Sequence, residues 1–360
     1  MTSSDSPRAS AQPGEIGVGV EFLGHKASQL PAILQAVRAA IGPTGRVADV
    51  FCGTAAVSAA LRASGYQVDA NDTLALCTTW AEARLLTPKA PRFEGLSLRG
   101  HGAYEAVIGV LNGLRPVEGF VWRTYSPASG TTDSTARMYF TEQNAAKIDA
   151  ARRQIREWEP ALTRGEHSLL LSSLVDAVGR VSNIAGTYGC YLKEWKPRAL
   201  HPLCLRPVRP GSGRSVGHRV TRGDAVLAAA ESSADLTYAD PPYTKRQYAA
   251  YYHVLETIVL DDEPTVTGST ALRPWRSHAS DWCYRRRAST ALDQLVAKTS
   301  SPFLLLSYND DGQIPHDTVL DVMSSYGTVA FSEFPQRRYR SSALPHRGAT
   351  VQERLYLLSR

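Results

Sequence analysis

VADVFCGTAAVSAALRASGYQVDAND, residues 47–72, opens as a short apolar run and turns at Cys52-Gly53-Thr54. It continues as an alanine-rich segment from Ala55 to Ser64, stops at Gly65 and returns to a second run over Gln67–Ala70. Two strand-length runs joined by one helix and a glycine stop predict a βαβ unit, and such units build parallel sheets. The fold class expected is therefore α/β.

The flanks agree. Upstream, Pro31 to Ile41 places apolar side chains at helical spacing and is closed by Gly42-Pro43. Downstream, the runs Leu236–Ala239, Phe303–Ser307, Thr328–Phe331 and Arg354–Leu358 supply further strands, with helical patterns between them. A long middle region reads as mainly helical, most clearly over Glu142–Trp158 and Glu166–Ser182. The expected organisation is a flexible tail over 1–13, a catalytic domain over 14–85 and 221–360, and an inserted domain over 86–220.

The composition, 43% hydrophobic and 21% charged over 360 residues, suits a globular protein with a real core. No run approaches the ~18 apolar residues of a membrane span, and the N-terminus lacks a secretion signal, so a cytoplasmic protein is expected. Cys52, Cys77, Cys190, Cys204 and Cys283 are dispersed without any CxxC pair, which predicts reduced thiols and no structural metal. The net charge of +6 favours a polyanionic partner. Lys196, Arg198, Arg206, Arg209, Arg214, Arg219 and Arg222 follow one another with no acidic residue between them, as in an exposed loop that could lie against phosphates or in a solvated linker.

Two constellations carry chemistry. The first is Asp49-Val50-Phe51-Cys52-Gly53-Thr54, where a strand ends in a glycine turn and opens a helix whose free N–H groups can face a ligand. About 20 residues on, Asp72 lies past the second strand, where an acid can accept from two ribose hydroxyls. The second is Leu236-Thr237-Tyr238-Ala239-Asp240-Pro241-Pro242-Tyr243, an apolar strand running straight into DPPY. Adjacent prolines stiffen the chain and hold the flanking Asp and Tyr, at the strand end where open α/β sheets put their sites.

On these motifs the chain resembles the D12-class (alpha-group) DNA adenine-N6 methyltransferases. Glu21 to Lys26, EFLGHK, is similar to that family's N-terminal cofactor motif, and Asp49 to Ser58 to its FxGxG turn. Asn71-Asp72 resembles its ribose-binding acid, Gly223-Asp224-Ala225 its adenine-contacting acid, and Asp240 to Tyr243 its catalytic loop. Arg137–Thr141, Gly186–Gly189, Gln247–Tyr252, Ser307–Asn309 and Arg337–Arg340 also look familial, so the resemblance spans about residues 20 to 358. One departure is Ala55, where the family has its second glycine; a modified contact with the cofactor's methionine end is expected there.

The resemblance implies a Rossmann-like S-adenosylmethionine-dependent methyltransferase sheet with an inserted, mainly helical DNA target-recognition domain. It implies S-adenosyl-L-methionine as cofactor, held by Phe22, Gly24, Lys26, Asp49, Phe51, Cys52, Gly53, Thr54, Asp72 and Asp224. Lys26 is expected at the methionine end. Asp240, Pro241, Pro242 and Tyr243 would act on an adenine swung out of double-stranded DNA. Arg198, Arg206, Arg209, Arg214, Arg337, Arg338 and Arg340 would meet phosphates. Trp195, His253 and Trp282 are read as core or wall packing. A monomer on the nucleoid, with a cognate restriction or defence protein as partner, completes the expectation. The alternatives are an RNA adenine, cytosine-N4 or glutamine methyltransferase, and an inactive cofactor- or DNA-binding module.

Overall fold

Seven strands form one sheet in the order β3-β2-β1-β4-β5-β7-β6. The structure, a computed structural model, describes Val20, Phe22 and residues 26–96, 103–133, 135–337 and 350–360. Strands β1 (Arg46–Asp49), β2 (Gln67–Asp72), β3 (Arg219–Arg222), β4 (Leu236–Ala239) and β5 (Phe303–Asn309) run parallel. Strand β7 (Thr350–Ser359) is antiparallel to β5 and to β6 (Thr328–Arg337). Parallel strands are buried on both faces, which is why β4 and β5 read as continuous apolar runs. The α/β class is as read from residues 47–72, and the strand order, with parallel strands on both sides of β1, is the Rossmann-like one expected.

Alternate residues of these strands feed two cores. Val47, Leu236, Tyr238 and Leu305 point towards helices α1 (Leu30–Ile41), α2 (Ala56–Ala63) and α3 (Ala75–Leu85). Ala48, Ala239, Leu304 and Leu306 meet Ala229, Leu292, Val296 and Met323 on the other face. That face is covered by three helices that follow later in the chain, and the connections keep the single-direction winding that parallel strands require.

A third core is mainly helical. It joins α4 (Ala103–Gly113), α5 (Phe120–Tyr125), α7 (Glu142–Trp158) and α8 (Arg164–Val181) to one face of α3; the short α6 (Gly130–Asp133) lies between α5 and α7. Helix α8 starts at a capping box, in which the Thr163 hydroxyl accepts from the Glu166 N–H while the Glu166 carboxylate accepts from the Thr163 N–H. Its leucines 169, 170, 171 and 174 are buried, each stabilising by about 1.5–3 kcal/mol. Helix α3 is buried nearly all round because it is shared: the sheet takes Cys77, Ala81 and Leu85, the helical layer takes Leu76, Trp80 and Ala83.

This sharing redraws the expected boundary of the insertion. Val254, Leu255 and Ile258 of α11 (His253–Leu260), which lies beyond residue 220, belong to the same helical core, as does Ala271. The helical layer is therefore built from both sides of the catalytic motif and has no core separate from α3. The basic run 196–222 also differs from a single exposed loop. Its last residues, Arg219 to Arg222, form the edge strand β3, and charged side chains suit an edge because they discourage further pairing.

Candidate functional site

The sheet order reverses direction between β1 and β4, and a crevice opens at such a switch point beyond the carboxyl ends of the strands. A cavity of about 610 Å³ lies there, lined among others by Phe22, Lys26, Asp49, Gly53, Asp72, Asp224 and Asp240. The two constellations, nearly 200 residues apart in sequence, thus face one another.

The β1 turn builds one wall. Gly53 has φ +51, and a Cβ at that position would sit 3.5 Å from the Phe22 ring. Its N–H donates to Asp72 Oδ2 at 3.0 Å, while Leu74 N–H donates to Oδ1 at 3.1 Å. Asp72 therefore caps the β2–α3 turn as well as lining the cavity. Asp49 is 1% exposed. Its Oδ2 accepts from the Ser58 hydroxyl at 2.6 Å, and its Oδ1 is buried with no hydrogen-bond partner. Burial, and then the charges of Asp240 and Asp72, push the Asp49 carboxyl up to about 7, against the effect of the Ser58 bond. Asp224 is exposed on the rim, and one of its oxygens caps the following helix by accepting from Val226 and Leu227 N–H.

Ala55 behaves differently from the expectation. It has φ +57 and ψ +27, the left-handed conformation in which glycine is at ease and alanine costs about 1–2 kcal/mol. Its side chain is fully buried in the sheet core and is not part of the cavity wall. The departure from glycine thus costs backbone strain, and the added methyl lies in the sheet core outside the cavity lining. Ala55→Gly should alter cofactor affinity by less than about twofold, since relief of strain acts on folding; a larger change in calorimetric titration would return this methyl to the binding site.

The opposite wall is the catalytic loop after β4. Lys26 Nζ is 3.1 Å from Asp240 Oδ1 and 3.4 Å from Glu353 Oε2. Lys26 and Glu353 are only 4% and 3% exposed. Burial alone would lower the lysine's affinity for its proton, but the charges of Asp240 and Glu353 together outweigh it and raise it. Burial pushes the Asp240 carboxyl up to about 6; Lys26 draws it down and Glu353 pushes it up. Lys26, expected at the methionine end of the cofactor, lines the cavity with its ammonium between these two carboxylates. Tyr243 lies with its ring 5.6 Å from that ammonium and edge-on to Tyr308.

Several wall residues carried no motif. The segment Ser277 to Trp282 closes the cavity, with Trp282 edge-on to Phe51 at 5.8 Å. Gln247 fastens it: its Oε1 accepts from Ser280 N–H at 2.8 Å and its Nε2 donates to Ser280 O at 3.0 Å. Trp282 is therefore wall packing, and His253 is core: it is fully buried, 3.0 Å from Tyr188 O through Nε2, and burial lowers its pKa to about 4.

Among the described residues, the arginines expected at phosphates do not come together. Arg198 is part-buried near Tyr188, whose N–H donates to Tyr251 O at 2.8 Å just after the catalytic loop. Arg206 and Arg209 are exposed on the flank of α4, where Leu205 exchanges two hydrogen bonds with the Asn112 side chain. Arg214 lies at the other end of the sheet: its carbonyl accepts from Arg62, in the last turn of α2, and packs beside His218 and the start of β2. That edge faces away from Asp240. Gly24, Arg338 and Arg340 lie outside the described residues, and of Arg337 only the backbone, at the end of β6, is described.

A second cavity, of about 440 Å³, adjoins the catalytic loop on the side of β5 and β7. Lys245, Arg285 and Arg354 line it together with Tyr308, Asn309 and Gln313. Gln313 Nε2 donates to Tyr243 O at 3.4 Å, so the two cavities share a wall. Arg354 is paired with Asp310 and Glu333, whereas Lys245 and Arg285 are exposed.

Comparison with known proteins agrees with this geometry. The profile of the D12 class N6 adenine-specific DNA methyltransferases matches residues 103–307. The type II methyltransferase M.FokI of Planomicrobium okeanokoites is 32% identical over 89% of this chain and 50% of its own length. Modification methylase LlaI of Lactococcus lactis subsp. lactis is 30% identical over 93% and 54%. The type II methyltransferase M.NlaIII of Neisseria lactamica is 32% identical over 69% of this chain and 74% of its own. The chain thus spans about half the length of the first two relatives. Among solved structures, a SAM-dependent methyltransferase from Agrobacterium tumefaciens matches at 13% identity and a TM-score of 0.33, over 95% of this chain and 68% of that one. At that score the match adds nothing to the strand order.

Proposed function

Because the chain belongs to the D12 class of N6 adenine-specific DNA methyltransferases, we propose that it transfers a methyl group from S-adenosylmethionine to N6 of an adenine in double-stranded DNA. The observation that supports this most is the meeting of Asp240 with the glycine turn of β1 across one cavity, with Asp240 held by Lys26. The residues fit the cofactor. The orphaned buried Asp49 Oδ1 suits a donor such as an amino group, Gly53 leaves room for close approach, and Asp72 and Asp224, both in the cavity lining, would accept from hydroxyl and amine donors.

S-adenosylmethionine, which the β1 turn, Asp72 and Asp224 would hold, would supply an electrophilic methyl whose acceptor is the N6 lone pair, the C–S bonding pair staying with sulfur. That lone pair is conjugated into the purine and must be localised. The Asp240 carboxylate and the Pro241 carbonyl accept from the two N6 protons and stabilise the charge that develops on nitrogen. One N6 proton then passes to Asp240 and on to solvent. Lys26, held as an ammonium, donates to Asp240 and cannot take that proton itself. Paired N6 is out of reach inside a duplex, so the base swings out and Tyr243 stacks on it.

For the DNA, the second cavity beside Tyr243 is the better phosphate site, with Arg198 and Arg337 as further candidates, while Arg214 is too far round the sheet. Lys245→Ala with Arg285→Ala should reduce the salt slope of DNA binding by about 2, near one per phosphate contact; an unchanged slope would exclude both. DNA as substrate places the enzyme on the nucleoid. The modification methylases among its relatives favour a cognate restriction enzyme as partner, and a complete pocket within one chain favours a monomer.

The deciding experiment offers labelled S-adenosylmethionine with unmethylated genomic DNA or total RNA, followed by nucleoside mass spectrometry. N6-methyladenine in DNA is the outcome anticipated. Label confined to RNA or to cytosine, or no transfer despite cofactor binding, would promote the RNA, cytosine or inactive-module reading.

A further inference from the structure

We propose that Glu353, on the last strand, is a positioning residue for the methyl transfer: by holding Lys26 it sets how firmly, and at which oxygen, Lys26 holds Asp240. The inference rests on the amino-methylation reading above and concerns a residue outside both recognised motifs.

The geometry is a line of three charges, with Lys26 and Glu353 buried and Asp240 half-buried at the cavity. Glu353 faces Asn309 across the β5–β7 register. Its Oε1 accepts from Asn309 Nδ2 at 2.8 Å, and its Oε2 lies 3.4 Å from Lys26 Nζ. The same ammonium lies 3.1 Å from Asp240 Oδ1. A buried carboxylate at this depth is costly and persists only where it is paired. Here it is paired twice, with its rotamer fixed by the amide of Asn309. No structural need explains a carboxylate on this strand, since an apolar residue would cost less.

Its presence has two chemical consequences. The ammonium is shared, so Asp240 is not locked into a tight neutral pair: its Oδ1 lies 3.1 Å from Lys26 Nζ yet has no hydrogen-bond partner among the described residues, which leaves the carboxylate able to accept an N6 proton. The extra negative charge also opposes ionisation of Asp240 and makes it a stronger proton acceptor. Asp240 is faced by Lys26 and Glu353, and also by Asp49 from β1, Tyr238 from β4, Tyr243 and Tyr248. Among these, Glu353 is the carboxylate that touches Lys26, so its effect can be separated from theirs.

The test is Glu353→Gln, which keeps volume and the acceptor for Asn309 but removes the charge. At saturating DNA, kcat should fall by about tenfold to a hundredfold, the scale of a small misplacement of reacting groups. Cofactor affinity should hold to within about twofold, since the cofactor wall is untouched. The acid limb of the kcat–pH profile should move to lower pH, because a charge that disfavours ionised Asp240 is gone. In a Lys26→Met background the same substitution should produce almost no further loss. A merely structural role for Glu353 would instead give an unmoved acid limb and additive losses, and either outcome overturns the proposal. The titration of the Asp240 carboxyl, followed by carbon NMR in wild type and Glu353→Gln, reports on the triad without turnover. Wild-type protein that transfers nothing to DNA would therefore refute the functional reading separately, while an Asp240 midpoint unmoved by the substitution would refute this one.

Discussion

Substituting Asp240 by asparagine is expected to lower kcat for adenine methylation by about a thousandfold, the upper range for loss of one preorganised group at a developing charge. Cofactor affinity should change little, because the walls that would hold the cofactor are the β1 turn, Asp72 and the 277–282 segment. Asparagine keeps the shape and one acceptor oxygen but cannot take the N6 proton. Substantial transfer by this variant would exclude the mechanism. The wild-type pH profile offers a second check: with Asp240 pushed up to about 6 by burial, kcat/KM should fall with a midpoint near pH 6. The sign for stability is opposite to that for activity. A carboxyl raised above its unfolded value favours the fold when protonated, so its contribution is present in acid and is lost as pH rises through about 6.

The second large effect is on folding. Lys26→Met leaves Asp240 and Glu353 buried together with no cation between them, and breaking a buried ion pair from one side costs about 3–5 kcal/mol. Asp240 would then take up its proton more readily. The loss, measured by denaturant unfolding, should be greatest at alkaline pH and shrink towards pH 5. A variant equally stable at all pH values would mean that the two carboxylates are solvated and that the ion pairs to Lys26 are not structural. Together the two substitutions separate chemistry from scaffold: the first should spare stability and the second should not.

The catalytic side was readable because its residues are rare in turns. Two prolines flanked by Asp and Tyr after an apolar strand have few structural uses, and a glycine turn before an alanine-rich helix has a fixed geometry. Glu353 escaped because the expected strand began at Arg354, one residue too late. A charged residue inside a strand buried on both faces would otherwise have stood out. The basic run 196–222 was misleading for a different reason. Nearness in sequence made one loop of it, whereas the chain travels from the flank of Tyr188 to the far end of the sheet before returning as β3. Domain boundaries were blurred by α3, which belongs to two cores at once although its sequence carries Thr78, Thr79, Glu82 and Arg84. Periodicity cannot tell that the second cover includes α11, more than 160 residues further along.

The site's dependence on β7 sets a time at which it can exist. Lys26 and Glu353 are separated by 327 positions, so the charge line across the catalytic loop closes only after β7 has followed the other strands out of the ribosome. A nascent chain still threaded through the ribosome has its DPPY loop and cofactor turn already synthesised, but Asp240 has half of its support. Such a long closure is slow to find, and domains whose key contacts lie at opposite ends fold late. Activity should therefore appear only once β7 has been made, and a stop codon a few residues before Glu353 should yield a protein with every recognisable motif and little turnover.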